Sequence, residues 1–456
     1  MKRRSLLLFT LFATCLTYSQ CWQSIAASYL NSSAIKTDGT LWAWGWNKRG
    51  QLGDGTTISK SIPTQIGSNN DWQKISLGGG FNIALKTDGT LWAWGANEKG
   101  QLGDGTLIDK NTPVQIGNET NWSYISVGYD FTIALKTDGT LWAWGNNDQG
   151  QLGDGSGLVK NSPTQIGTET NWKTISTKVT HSIALKSNGT LWTWGANYFG
   201  ELGNGNPLFP KLDPTQIGTD SDWNNVSAGG NFSMALKTDG TLWAWGTNSN
   251  GELGDGTNIN KTIPTKIGIE TNWQTISTGL DNSIAKKTDG TYWIWGDNYY
   301  GQLGDGTTIK KKFPTQLVTI SNLQTIGQGF VHNAAVKTDG TLWTWGWNAY
   351  GQLGDNTKTN SNSPINIICS NLGIEELDNS RITFSIYPNP TKDAIYFQNS
   401  AHKSIEKVTI TDLNGKIVFK QSNNPVEINV QRLKQGIYII QILSEGEVFK
   451  SKFIKE

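Results

Sequence analysis

The chain has 456 residues, 22 of them tryptophan, and its 38 basic and 37 acidic side chains give a net charge of +1. The length exceeds what one ordinary hydrophobic core supports, so we expect several domains or a repeat. The balanced charge, with no long basic run, excludes a protein that binds nucleic acid mainly by electrostatics.

The N-terminus has the features of a secretory signal peptide. Basic residues at positions 2–4 precede an apolar run from Leu6 to Leu16, which is too short to cross a bilayer. Small residues at positions 17 and 19 predict cleavage before Gln20, so that residues 1–19 form the leader. A lipoprotein-type cut before Cys21 is a less favoured alternative, because Gln20 is a poor residue to precede it. No other stretch predicts a membrane span, and we expect an exported protein that does not span the membrane.

A twelve-residue segment recurs through most of the chain, as in Ala84–Gly95, ALKTDGTLWAWG. It predicts a β-hairpin with a two-residue turn in which Asp88 and Gly89 both take positive φ. A period of about 50 residues is typical of a solenoid or a propeller, and four strand-like pieces per unit indicate propeller blades. All tryptophans lie in these repeats, which indicates a structural role. The seven copies begin at Ala34, Ala84, Ala134, Ala184, Ala235, Ala285 and Ala335.

A glycine-rich loop follows each hairpin, for example Gly95–Asp104, GANEKGQLGD. Hairpin and loop together resemble the regulator of chromosome condensation repeat, over residues 22–369, and the resemblance implies a seven-bladed propeller. The family's usual histidine before the second strand is kept only at His181 and His332. The founding member's nuclear roles do not suit an exported, near-neutral chain. A secreted bacterial member of the family binds a target protein through loops on one face, which implies a binding module.

Two cysteines remain after removal of the leader, in an export context that permits disulfides. Aligned on the turn between blades, Cys369 matches Ser68 and Cys21 matches Asp71, which are three residues apart. Residues so spaced across a β-turn have Cα atoms within about 7 Å, and a disulfide needs roughly 4.4 to 6.8 Å. The spacing therefore predicts a Cys21–Cys369 disulfide in place of the missing seventh linker. Two free buried thiols are the alternative.

The repeats of this chain differ mainly in the loops after their first and third strands, which we expect on one face. The Asp-Gly turns on the other face hardly vary. Variation confined to one face indicates a binding surface on a constant scaffold. Aromatic residues of the variable loops are the candidate contacts, and those of the sixth, seventh and first repeats should converge. They are Tyr29, Trp46, Phe81, Tyr129, Phe131, Tyr198, Phe199, Phe232, Tyr299, Tyr300, Phe330, Trp347 and Tyr350.

Tyrosine and tryptophan suit protein interfaces and sugar stacking alike, so an extracellular protein is the first partner hypothesis and a glycan the second. Aromatics that only cover the loop bases are a third interpretation. A secreted hydrolase is the least favoured, because the three histidines show no metal or triad spacing. The Gly-Asp-Gly-Thr loops offer one carboxylate each, where calcium needs several oxygens. We expect no enzyme activity, metal or cofactor, and solvated lysines such as Lys86 that pair with the turn aspartates.

The tryptophan pattern ends at Cys369, and residues 370–383 form a polar linker. Alternating apolar runs over 384–456 then predict a small antiparallel β-sandwich, so that the whole chain is all-β. This tail resembles the type A sorting domain of the type nine (Por) secretion system. The resemblance implies contact with the secretion machinery and a secreted or outer-membrane-surface location. Its matching residues are Tyr387, Pro388, Asn389, Pro390, Gly415, Gly436, Tyr438, Lys452 and Lys455.

Overall fold

The computed structural model describes residues 21–369, 384–399, 404–412, 416–423, 425–444 and 447–456. The chain divides into two compact units, Met1–Cys369 and Ser370–Glu456. The described residues form strands, turns and irregular loops, and no helix occurs among them. The predicted leader and the predicted linker lie outside the described residues. So do His402 and, from the sorting motif, Gly415.

Seven antiparallel sheets make up the first unit, each of four strands consecutive in sequence, which confirms the propeller. The first three blades contain β1 Trp22–Ala27, β2 Asn31–Lys36, β3 Leu41–Gly45, β4 Lys60–Gln65, β5 Trp72–Leu77, β6 Phe81–Lys86, β7 Leu91–Gly95, β8 Lys110–Gln115, β9 Trp122–Val127, β10 Phe131–Lys136, β11 Leu141–Gly145 and β12 Lys160–Ile166. The fourth and fifth contain β13 Trp172–Thr177, β14 His181–Lys186, β15 Leu191–Gly195, β16 Lys211–Gln216, β17 Trp223–Ala228, β18 Phe232–Lys237, β19 Leu242–Gly246 and β20 Lys261–Ile267. The sixth and seventh contain β21 Trp273–Thr278, β22 Asn282–Lys287, β23 Tyr292–Gly296, β24 Lys311–Gln316, β25 Leu323–Gln328, β26 His332–Lys337, β27 Leu342–Gly346 and β28 Ser361–Ile367.

The hairpin turn is one residue longer than the sequence pattern predicts. In the second blade Lys86 N donates to Thr90 O (3.1 Å), which encloses three residues, and of these Gly89 alone has positive φ. Asp88 instead accepts hydrogen bonds at Oδ1 from the backbone N and the hydroxyl of Thr90 (2.9 and 2.7 Å). The prediction of a two-residue turn was therefore wrong, because Asp88 does not take positive φ and its side chain instead accepts the hydrogen bonds of the turn.

Tryptophans fill the space between consecutive blades. Trp94 is fully buried against Leu52 and Ile66 of the preceding blade, and its indole N–H donates to Gln51 O (3.1 Å). Trp72 meets Trp94 edge to face at 5.9 Å. Each blade thus hides its apolar side on its neighbour, as a repeat unit that lacks its own core must do.

The junction between the seventh and first blades is called the seam below. Among the described residues, each of these two blades is built from its own four strands, so no strand is exchanged across the seam. The Cys21–Cys369 disulfide, with Cα atoms 6.3 Å apart, joins the two chain ends of the ring and confirms the predicted pairing. From β3 of the first blade, the Trp44 indole donates across the seam to Gln352 O (2.9 Å). Apolar side chains also pack across the seam, among them Trp22 and Ile25 against Val336. Closure therefore depends on one covalent bond, buried hydrogen bonds and a shared apolar core.

The C-terminal unit is built from a three-stranded and a four-stranded sheet. Apolar side chains such as Ile395, Val408 and Phe453 form its core. Asn389 of the sorting motif donates to Lys452 O (3.1 Å) and accepts from Ile454 N (2.9 Å), so the motif is fastened to the closing strand. The strands are β29 Phe384–Tyr387, β30 Ala394–Asn399, β31 Lys407–Thr411, β32 Ile417–Ser422, β33 Glu427–Asn429, β34 Gly436–Ser444 and β35 Glu447–Lys455.

Candidate binding surface

The loops that follow the first and third strands of a blade lie together on one face, called the loop face below. In the first blade Trp46 N donates to Leu30 O (2.9 Å), which joins the two loops. The Asp-Gly turns and the linkers between blades lie on the opposite face, called the turn face, where Trp72 N donates to Gly39 O (3.2 Å).

A buried asparagine anchors each long loop after the third strand. Asn97 donates from Nδ2 to Asp104 Oδ1 (2.9 Å) and Thr106 O (3.1 Å), and its Oδ1 accepts from Leu102 N (3.0 Å). Lys110 pairs with the same Asp104 at 3.2 Å. The carboxylate of the Gly-Asp-Gly-Thr loop is thus satisfied within the protein, and no cluster of metal-ligating side chains occurs among the described residues.

Five aromatic rings form a continuous chain across the seam, called the seam cluster below. Ring centroids are 4.9 Å apart for Tyr299 and Tyr300, 5.6 Å for Tyr300 and Trp347, and 5.7 Å for Trp347 and Tyr350. Tyr350 lies 6.3 Å from Trp46 of the first blade. The sequence predicted that these five residues would converge together with Tyr29 and Phe330. The structure brings the five together and places Tyr29 and Phe330 in a separate group.

The seam cluster is partly open to solvent and uneven in shape. Tyr299 is 74% exposed and Tyr350 38% exposed, while the other three rings are half-buried. Neighbouring rings meet at interplanar angles of 88°, 39° and 89° along the chain from Tyr299 to Tyr350. The rings therefore form an apolar surface with ridges, and no flat platform extends over more than one of them.

Three further candidates form a separate group near the axis, called the axial trio below. Tyr29, Tyr129 and Phe330 come from the first, third and seventh blades, and their centroids lie 4.9 to 6.3 Å apart. Phe330 is buried and Tyr129 is exposed. Because these residues follow the innermost strands of their blades and the third blade lies apart from the other two, their rings cover part of the axis at the loop face.

Three predicted contact residues are inaccessible, and this part of the expectation was wrong. Phe81, Phe131 and Phe232 are fully buried, because each begins the second strand of its blade and points beneath the preceding loop. The fit is tight: a Cβ on Gly78 would lie 2.1 Å from the Phe81 ring.

The remaining candidates, Tyr198 and Phe199, lie in the fourth blade and are 49% and 42% exposed. They occupy the loop positions that Tyr299 and Tyr300 hold in the sixth blade. The Tyr198 hydroxyl donates to Gln149 Oε1 (2.6 Å). No contact joins this pair to the other candidates among the described residues.

The same loop positions carry charged residues in the first three blades. The sequence analysis named only aromatic side chains as candidates and did not include these. Arg49 pairs with Glu98 (3.1 Å) and with Asp109, and Lys99 pairs with Asp148 (3.5 Å). The loop face therefore has a charged sector beside the first-blade end of the seam cluster. Charge patterning at these positions, read across the repeats, could have revealed it.

A group of three carboxylates, Glu252, Asp281 and Asp297, lies between the fifth and sixth blades. Burial, with the charges of Glu252 and Asp297, raises the pKa of Asp281 to about 7. Glu252 itself is fully buried, and burial raises its pKa. The two described histidines are hydrogen-bonded to Ser233 and Ser32, and neither forms a catalytic pair with these carboxylates.

The lysines at the end of each second strand contradict the expectation of solvated side chains. Lys136 is buried over the Trp142 ring, 3.6 Å from its centroid, and pairs with Glu119 at 2.8 Å. Here the partner is a residue of the linker, while the turn aspartate Asp138 accepts a hydrogen bond from Thr140 (2.7 Å). In the seventh blade Lys337, which is less buried, does pair with its turn aspartate Asp339 at 3.7 Å, as the sequence predicted. The turn face is therefore a neutralised structural surface.

Comparison with known proteins agrees with this architecture. Residues 113–380 match the model of the RCC1-like domain. Residues 385–456 match the secretion system C-terminal sorting domain. Among the described residues, no helix has the length and apolar character needed to cross a bilayer. Matches to the regulator of chromosome condensation (RCC1) repeat cover residues 22–51, 38–85, 72–101 and 88–135.

Individual relatives are distant. A segment of 35 residues is 60% identical to the RCC1 domain-containing protein RUG3, mitochondrial, of Arabidopsis thaliana, and spans 8% of this chain and 8% of that protein. Yeast RCC1 (Prp20), solved bound to Kap60, has a TM-score of 0.66 at 19% identity over 85% of this chain and 93% of that chain. Human WBSCR16 has a TM-score of 0.62 at 22% identity over 68% and 85%. At these identities the likeness concerns the fold.

Proposed function

The chain belongs to the RCC1-like domain family, and on that premise we propose that it is an exported module that binds a protein partner through the seam cluster. Its sorting domain indicates export to the cell surface or the medium. RCC1-like propellers are typically binding or regulatory modules, and the yeast relative is bound to the protein Kap60. We infer that this chain has no enzyme activity of its own.

The observation that carries the proposal is the contact of five aromatic rings on the variable face. Tyrosine and tryptophan dominate binding hot spots, since each contributes a large apolar area with little loss of conformational entropy. Tyr299 alone leaves 74% of its side chain open to solvent. A scaffold that needed these rings only for its own packing would bury them as it buries Trp94 and Trp345.

Two features favour a protein over a glycan. Two of the four neighbouring pairs meet edge to face, as with Trp347 and Tyr350 at 89°, whereas sugar stacking needs an open flat face. The cluster also borders the charged sector that begins at Arg49, and an apolar centre with a polar rim is the usual anatomy of a protein interface. A glycan remains the alternative outcome of the experiment below.

Two double variants of the propeller allow a matched test. Tyr299→Ala/Tyr300→Ala removes one end of the seam cluster, and Tyr198→Ala/Phe199→Ala makes the equivalent change in the fourth blade. Each is tested with the parent for binding to an extract of surface proteins from neighbouring cells and to a glycan array.

We expect the parent and the fourth-blade variant to retain the same bound protein, and the sixth-blade variant to lose it by at least about tenfold in affinity, as hot-spot truncation does. Equal binding by both variants would show that the seam cluster is not the binding site. Binding confined to the glycan array would replace the protein partner with a carbohydrate.

A further inference from the structure

A cavity of about 630 Å³ lies on the propeller axis, and the first strands of all seven blades line it. The strands run from the turn face to the loop face, so residues early in each strand lie toward the turn face. At the opposite end Phe330, a member of the axial trio, forms part of the wall. The cavity is therefore a blind chamber that opens toward the turn face.

Three lysines line this chamber, Lys74, Lys173 and Lys178, and no aspartate or glutamate is among the described lining residues. The Lys74 ammonium lies 3.6 Å from the centroid of the Tyr124 ring. The Lys178 ammonium donates to the carbonyl oxygen of Gln328 (2.8 Å). Neither forms an ion pair with a described residue, unlike the lysines of the turn face.

Lys178 is not required by the fold. The position holds glycine in five other repeats and Ser28 in the first. Where phenylalanine begins the second strand the glycine is obligatory, since a Cβ on Gly128 would lie 1.9 Å from the Phe131 ring. The fourth repeat has His181 in place of phenylalanine, and it carries a lysine where these repeats have glycine.

Gln328 supplies a second, independent feature at the same end. It is 5% exposed, lines the chamber, and has no hydrogen-bond partner for its side-chain nitrogen or oxygen among the described residues. The corresponding residues of the other repeats are alanine, leucine, valine or threonine. A buried amide without partners is costly, so a ligand that accepts a hydrogen bond would stabilise it.

Burial lowers the pKa of Lys74 and that of Lys178 to about 8 each. The physical cause is that the chamber removes water from the ammonium groups and offers no carboxylate in return. An anion with oxygen ligands would restore the missing counter-charge and form short, charge-assisted hydrogen bonds.

We propose that the axial chamber binds a small molecule that carries an anionic oxygen group, a carboxylate or a phosphate. Lys178 and the Gln328 amide bind this group near the Phe330 end, and Lys74 adds positive charge nearer the entrance. Lys173, which is exposed at the turn-face end, lies on the path of entry. This site is distinct from the seam cluster and does not depend on the proposed protein partner.

Calorimetric titration of the exported chain with citrate, and separately with inorganic phosphate, tests the proposal at low ionic strength. The test variant is Lys74→Thr/Lys178→Gly, which uses residues that other repeats hold at these positions. The control is Lys266→Gln, an exposed lysine of an outer strand where five other repeats have glutamine.

We expect one anion per propeller for the parent and the control, and a loss of at least about tenfold in affinity for the test variant. Lys74→Thr alone should give a smaller loss, and it serves if the double variant fails to fold. The proposal is overturned if neither anion binds the parent, or if the chamber variants bind as tightly as Lys266→Gln.

Discussion

Asp281 is the acid whose ionisation should most affect the stability of the propeller. The folded protein keeps its proton up to about pH 7, whereas an unfolded aspartate has a pKa of 3.8. Between these values the folded state binds more protons, so the free energy of unfolding falls as the pH rises. This contribution is therefore present in acid and lost above pH 7.

Asp281→Asn should remove the free-energy cost of ionising the buried aspartate. Asparagine already occupies the matching position of the fifth repeat, Asn231. We expect the variant to be more stable than the parent at pH 8, by on the order of 1 kcal/mol, and nearly equal to it at pH 4. Urea unfolding at both pH values measures the difference. A difference that does not change with pH would contradict the assignment.

The two buried histidines have the opposite effect on the pH dependence of the free energy of unfolding. The Ser32 hydroxyl donates to Gln352 O (2.9 Å), so the His332 Nε2, 2.9 Å from the same hydroxyl, must carry the proton. Burial, with the charge of Lys178, lowers the pKa of His332 to about 3. Because an unfolded histidine binds its proton near pH 6.5, stability is lost as the pH falls below that value.

His332→Asn should therefore flatten the acid limb of the stability curve, and asparagine occupies this position at Asn31 and Asn282. The slope should fall by one proton, about 1.4 kcal/mol per pH unit, between pH 6 and pH 4. The variant should be less stable than the parent at pH 7, because the hydrogen bond to Ser32 is lost. An unchanged slope in urea unfolding would show that another group controls the acid limb.

At the scale of the strand and loop, the anchoring asparagines decide whether the loop face is a defined surface. Asn97 is fully buried and makes hydrogen bonds to several groups of its loop. Asn97→Ala should lower the free energy of unfolding by about 2 to 4 kcal/mol, since it leaves buried polar groups without partners. Asn111→Ala, which removes one exposed bond to Gly55 O (2.9 Å), should cost less than about 1 kcal/mol. Equal losses would mean that the loop is held by other contacts.

The elements themselves were largely predictable, because a period of two within the strands and a fixed repeat length are properties of the sequence. The convergence of Tyr299, Trp347 and Trp46 followed from closing the ring. The sequence did not show how deeply each of these aromatic side chains is buried. Whether an aromatic residue beside a loop is exposed like Tyr299 or buried like Phe81 depends on where the strand begins, and strand ends are the least reliable part of any such prediction. The chamber was not predictable for a related reason. Lys74 and Lys178 belong to different repeats, and they line the same cavity only because the blades close around the axis.

For the molecule as a whole, the disulfide stands in for a chain connection that the ring lacks. Cys21 and Cys369 are separated by 348 residues, and in the chain-entropy model a loop of this size contributes about 5 kcal/mol, an upper figure. Cys21→Ser/Cys369→Ser should therefore lower the Tm, and amide hydrogen exchange should rise first in β1 and in β25–β28 at the seam. The parent treated with reductant should behave in the same way. A melting curve that reductant leaves unchanged would show that the non-covalent seam contacts suffice.

Binding through the seam cluster is the central claim, and photo-crosslinking of the exported chain tests it most directly. A photoreactive phenylalanine analogue replaces Tyr299, which is 74% exposed, or Phe209, a 63% exposed loop-face residue of the fourth blade. The labelled protein is mixed with neighbouring cells and irradiated. The account predicts a covalent adduct with one discrete polypeptide from position 299 and none from position 209. No adduct at 299, or the same adduct from both positions, would contradict it.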